Sequence, residues 1–144
     1  MPPLPCMCAS LRRASRAISQ FYDQAMRPLG LTITQFTILQ ALTLAGEIPQ
    51  GRLGEILSMD STTLTRTLKI LRKHGWIAGR SGSDRRERLL RLSPAGKTEF
   101  DRALPHWQNT QAQMRVRIGD TRWNRLADLI HKVTSVVAEE GDLR

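Results

Sequence analysis

The stretch Asp84-Arg85-Arg86-Glu87-Arg88-Leu89-Leu90-Arg91-Leu92-Ser93-Pro94-Ala95-Gly96 changes the periodicity of the chain, and its reading decides the fold. Glu87 to Leu92 reads as a short strand beside a polar turn. Ser93 and Pro94 then supply an N-cap and a first-turn proline, so a helix opens directly behind the strand. Upstream, Trp76 to Arg80 reads as the partner strand, and Ser81 to Arg86 as the polar turn between them. The unit is a basic β-hairpin.

Working outward, the segments on both sides are helical. Before the hairpin, Leu64, Leu68 and Leu71 mark the inward edge of a helix that Asp60 caps and Gly75 ends. Ser58 and Met59 separate it from a shorter helix carrying Leu53, Ile56 and Leu57 behind Pro49. Thr32-Ile33-Thr34-Gln35 fits a capping box, with Leu31 and Phe36 as its staple, and opens a helix through Ile38, Leu39 and Leu42. Leu11, Ala14, Ile18, Phe21 and Ala25 place one apolar stripe on a first helix that Pro28 and Gly30 terminate.

After the hairpin, Phe100, Leu104, Trp107, Gln111, Met114 and Ile118 form a seam along a long helix in which Pro105 is expected to introduce a bend. Trp123, Leu126, Ile130, Val133 and Val137 repeat that spacing on a last helix. The fold class is mainly α with a small β-hairpin wing: a winged helix-turn-helix plus a helical dimerisation region. The expected division is 1–30 for an N-terminal tail and dimerisation helix, 31–93 for a DNA-binding unit, and 94–144 for C-terminal dimerisation helices.

The balance of 22 Lys and Arg against 13 Asp and Glu favours an anionic partner, with duplex DNA first. Placement sharpens this reading. Between Ser61 and Arg91 there are nine basic residues and two acidic ones. In a helix-turn-helix, the second helix offers its N-terminal side chains to base edges in the major groove. Here those are Ser61, Thr62, Thr65, Arg66 and Lys69. Arg66 is the long donor of the first two turns and the candidate base reader, because a guanidinium can give two hydrogen bonds to guanine. Ser61, Thr62 and Thr65 suit positioning contacts.

These residues carry a resemblance. Leu53-Gly54-Glu55-Ile56-Leu57, Ser61 to Arg66, Gly75-Trp76-Ile77 and the stretch from Asp84 to Gly96 resemble the MarR family of winged helix-turn-helix regulators. The chain differs in having Ser58 where a glycine is common and Gly54 where an alanine is common. The resemblance implies that Arg86, next to Arg85 at the wing tip, enters the minor groove, with Asp84 holding its guanidinium. A local turn role for Asp84 is the alternative. It also implies a two-fold homodimer built from the terminal helices, and a small aromatic ligand bound near helices one, two and five.

Cys6 and Cys8, one residue apart before the first helix, are too close for an ordinary structural disulfide. Next to Arg12, Arg13 and a positive helix end, they are candidate sensors of a thiol-reactive effector such as an oxidant, an electrophile or a thiophilic metal. His74, His106 and His131 share no ligand spacing, so neither a metal site nor a cofactor is expected. There is no HExxH, no phosphate-binding glycine loop and no nucleophile with an evident base, which argues against an enzyme. The absence of a long apolar run or signal-like start gives the expectation of a cytoplasmic protein without a membrane partner. A winged helix that binds protein or RNA is the rival reading.

Overall fold

The computed structural model describes residues 5–141, with side chains described for residues 5–138. The proline-rich start at 1–4 and the last three residues lie outside the described residues. The elements run α1 (Met7–Met26), a 3-10 turn (Arg27–Leu29), α2 (Ile33–Ala45), β1 (Ile48–Pro49), α3 (Gln50–Leu57), α4 (Ser61–Lys73), β2 (Ile77–Ser81), β3 (Arg88–Leu92), α5 (Pro94–Ile118) and α6 (Asp120–Gly141). The chain divides into two compact units, Met1–Trp107 and Gln108–Arg144.

In the first unit α2 is the central helix, burying Phe36, Ile38, Leu39 and Leu42. Its start is fixed by the expected capping box: Thr32 Oγ1 accepts from the Gln35 amide at 3.2 Å, and the Thr32 amide donates to Gln35 Oε1 at 3.0 Å. A carboxylate from α1 adds to it, since the Ile33 amide donates to Asp23 Oδ1 at 2.7 Å. A negative group is thereby placed at the positive end of α2. The Phe36 ring stacks at 5.5 Å on Phe100 and at 5.8 Å on Trp107, so the first half of α5 closes the same core. In α1 the buried residues are Tyr22 and Met26, near its end.

The sheet has three strands in the order β1-β3-β2, all antiparallel. The hairpin β2-β3 falls where the sequence places it, with Ile77 opposite Leu92 and Ser81 opposite Arg88. The third strand was not legible. Ile48 and Pro49 pair with Leu90 and Leu89, and two residues ending in proline carry no alternation to read. Buried Ile48 and Leu90 tie this strand to the core.

The turn between α3 and α4 accounts for Ser58. Its φ of 50° makes it the one non-glycine residue at positive φ among the described residues. The Ser58 amide donates to Glu55 O and the Met59 amide to Gly54 O, the pair of bonds that closes a helix through a left-handed residue. Ser58→Gly is expected to raise stability by about 0.5–1 kcal/mol, because relief of left-handed strain is partly offset by glycine's larger unfolded-state entropy. A melting temperature below that of the wild type would show that Ser58 contributes contacts worth more than the strain. Gly54 lets α3 approach α4: a Cβ there would lie 3.2 Å from a Leu64 methyl carbon.

Candidate nucleic-acid interface

The first turn of α4 is held by Asp60, whose Oδ1 accepts from the Thr63 amide at 2.8 Å and whose Oδ2 accepts from the Thr63 hydroxyl at 2.6 Å. These bonds hold the Asp60 carboxyl below its ordinary range. The stabilisation they give is therefore complete above the usual carboxylate pKa and is lost as acid protonates the cap. Leu64, Leu68 and Leu71 are buried. That leaves Ser61, Thr62, Thr65, Arg66 and Lys69 exposed, as their spacing requires. Arg66 and Lys69 make no ion pair among the described residues. α4 ends at Gly75, φ 73°, where the Gly75 amide donates to Arg72 O and the Trp76 amide to Leu71 O.

The wing loop closes through the Gly82 amide to Glu87 O and the Glu87 amide to Asp84 O. Asp84 Oδ1 accepts from the backbone amide of Arg86 at 2.9 Å. The Asp84 carboxylate therefore shapes the turn, the alternative that the residue type had left open, and it makes no ion pair with the Arg86 guanidinium among the described residues. Asp84, Arg85 and Arg86 are all exposed. Arg80 behaves differently from the other wing cations. Its Nε and Nη2 both donate to the Glu47 carboxylate, at 3.0 and 2.5 Å, bracing β2 against the segment before β1. The same contact holds the Glu47 carboxyl below its ordinary range. The charge of Arg80 is thus paired within the fold.

α4 and the wing meet across a cavity of about 840 Å³ lined by Gln50 and Gly51 of α3, Ser58, Asp60 and Ser61 of the turn and α4, and Arg86 and Arg88 of the wing. Sequence reading missed Gln50. Its Nε2 donates to Thr65 Oγ1 at 3.5 Å across fifteen residues of chain, a contact that no local pattern reports. Cys6 is the N-cap residue of α1, with extended backbone, and Cys8 lies in the first turn; both are exposed free thiols. No single helix among the described residues is long and apolar enough to cross a membrane.

A short helix, a turn, a second helix with polar outer face and a basic hairpin packed on one core define a winged helix-turn-helix protein. The sequence model of the MarR family matches residues 31–87. In structure, the chain is similar to the Mycobacterium tuberculosis transcriptional regulator MosR in complex with DNA, with a TM-score of 0.84 and 33% identity over 93% of this chain and 97% of that one. In sequence, it is 39% identical over 72 residues to the multiple antibiotic resistance protein MarR of Salmonella typhimurium, covering 49% of this chain and 50% of that protein. It is also 29% identical over 91 residues to the HTH-type transcriptional regulator YwoH of Bacillus subtilis, covering 63% of this chain and 66% of that protein. The matched segments thus span half to about two thirds of these curated relatives. The chain belongs to the MarR family, a family of transcription regulators and not of enzymes.

Proposed function

We propose that the chain is a cytoplasmic, homodimeric repressor that binds a pseudo-palindromic duplex DNA site and is released by thiol modification or by a small aromatic ligand. The observation that carries this reading is the face on which the first turn of α4 and the wing tip flank one cavity, with Arg66, Lys69, Arg85 and Arg86 exposed and outside the ion pairs among the described residues. On this reading Arg66 hydrogen-bonds base edges in the major groove. Ser61, Thr62, Thr65 and Lys69 hold phosphates, and Arg85 and Arg86 follow the minor groove, with Asp84 fixing the turn that presents them. The DNA complex of MosR supports the duplex as partner.

Two-fold pairing is supported by apolar side chains left in water on both units. Leu11 and Ile18 of α1 are about 40% exposed. On α6, Leu126, Leu129, Ile130, Val133, Val136 and Val137 are 41–64% exposed. Such stripes mark a protein contact, and a two-fold dimer matches a palindrome half-site by half-site. Sedimentation of the protein alone and with a palindromic duplex is expected to give a dimer and then two protomers per duplex. A monomer that binds singly would refute the arrangement.

The exposed Cys6 and Cys8 at the start of α1 support the thiol arm, because modification there acts on a helix assigned to the dimer. Oxidants or electrophiles are expected to release DNA from the wild type and to leave the Cys6→Ser, Cys8→Ser double variant bound. Equal release from both proteins would remove the cysteines from the mechanism.

A further inference from the structure

The two strands of the wing begin and end at one point, and a single side chain ties that point together. Ser93 Oγ donates to Gly75 O at 2.5 Å and accepts from the Gly96 amide at 2.9 Å, while the Ser93 amide donates to Trp76 O at 3.0 Å. Gly75 and Trp76 end α4 and lead into β2; Ser93 follows β3; Gly96 lies in the first turn of α5. The hydroxyl therefore does more than cap α5. It fastens both ends of the hairpin and the end of the recognition helix to the same helix start. Glu47, bound to Arg80 from the side, is a second, charged brace on β2.

We infer that Ser93 is a positioning residue for DNA binding: through its bonds to Gly75, Trp76 and Gly96 it sets the aim of the wing, and hence the place of Arg86 on the duplex. This rests on the reading of Arg86 as a DNA contact. Ser93 itself is half-buried, its hydroxyl is engaged as donor and acceptor, and it is not assigned to the DNA. Without the hydroxyl, the Gly75 carbonyl and the Gly96 amide both lose a partner. The hairpin, whose sixteen residues from Ile77 to Leu92 run out and back from this root, then gains freedom at its base. An arginine at its tip delivers less binding free energy when its orientation must be fixed on the duplex. The conservative change to threonine keeps the donor and the acceptor.

A double-mutant cycle on duplex binding tests this, at a temperature where every variant is folded by circular dichroism. Ser93→Ala is expected to weaken binding about fivefold in the wild-type background and not at all in the Arg86→Ala background, the coupling expected when one residue acts through another. Ser93→Thr is expected to bind like the wild type. If Ser93→Ala weakens binding equally in both backgrounds, or not at all in the wild type, Ser93 does not act through the wing tip and the inference fails. If Arg86→Ala alone leaves binding unchanged, it is the assignment of Arg86 that fails. A loss of active protein through misfolding would reduce binding in both backgrounds and so counts against the inference.

Discussion

Gly96→Ala is expected to lower stability by about 2–4 kcal/mol, because it is the described glycine whose added Cβ would clash with backbone. A Cβ at Gly96 would lie 2.8 Å from the carbonyl carbon of Trp76 and closer still to its oxygen. Backbone cannot swing aside as the end of a side chain can. This carbonyl is also held by the Ser93 amide, so relieving the clash breaks the root of the wing. Alanine's advantage over glycine inside a helix, about 1 kcal/mol, offsets only part of the cost. Gly51→Ala is the matched control: it lies in α3, and a Cβ there would meet nothing within 4 Å. Thermal unfolding should therefore separate the two variants in opposite directions, Gly96→Ala below the wild type and Gly51→Ala at or above it. Equal melting temperatures for Gly96→Ala and wild type would mean that α5 does not press on Trp76 as described.

Arg66→Ala is expected to weaken binding to a preferred duplex by about 1–3 kcal/mol, roughly 5- to 150-fold, and to weaken random duplex much less. Arg66 is exposed on α4 and makes no ion pair among the described residues, so its removal leaves no buried charge behind and has little to change in the fold itself. The loss is then a property of the interface. Lys69→Ala, by contrast, is expected to weaken both duplexes alike and to lower the salt slope by about one, as a phosphate contact does. Equal losses on preferred and random duplex for Arg66→Ala would make it a second phosphate contact and leave base reading to other residues.

The parts of this structure legible in the sequence are those fixed by short-range chemistry. The capping box at Thr32, the Asp60 cap and the left-handed glycine at Gly75 each involve groups three to five residues apart, and each forms as read. The leucine edge of α4 dictated which side chains face outward, so the candidate residues Ser61, Thr62, Thr65, Arg66 and Lys69 were accessible to pattern alone. What the sequence hid depends on which elements meet. Ile48–Pro49 becomes a strand only because β3 passes beside it, and the charge of Arg80 is balanced by Glu47, thirty-three residues away. Gly96 reads as a weak helix residue until the Trp76 carbonyl is placed against it. Asp84 had two chemically reasonable roles, holding the Arg86 guanidinium or closing the local turn, and its carboxylate accepts from the Arg86 amide.

The most direct measurement is an equilibrium titration of the wild-type protein with a palindrome-enriched duplex pool and with random duplex, each at two salt concentrations. Tighter binding to a subset of the palindromes, weakening steeply as salt rises, is the expected result. Binding with no preference for duplex sequence at either salt would contradict the assignment of this face as a reader of DNA and favour a protein or RNA partner in its place.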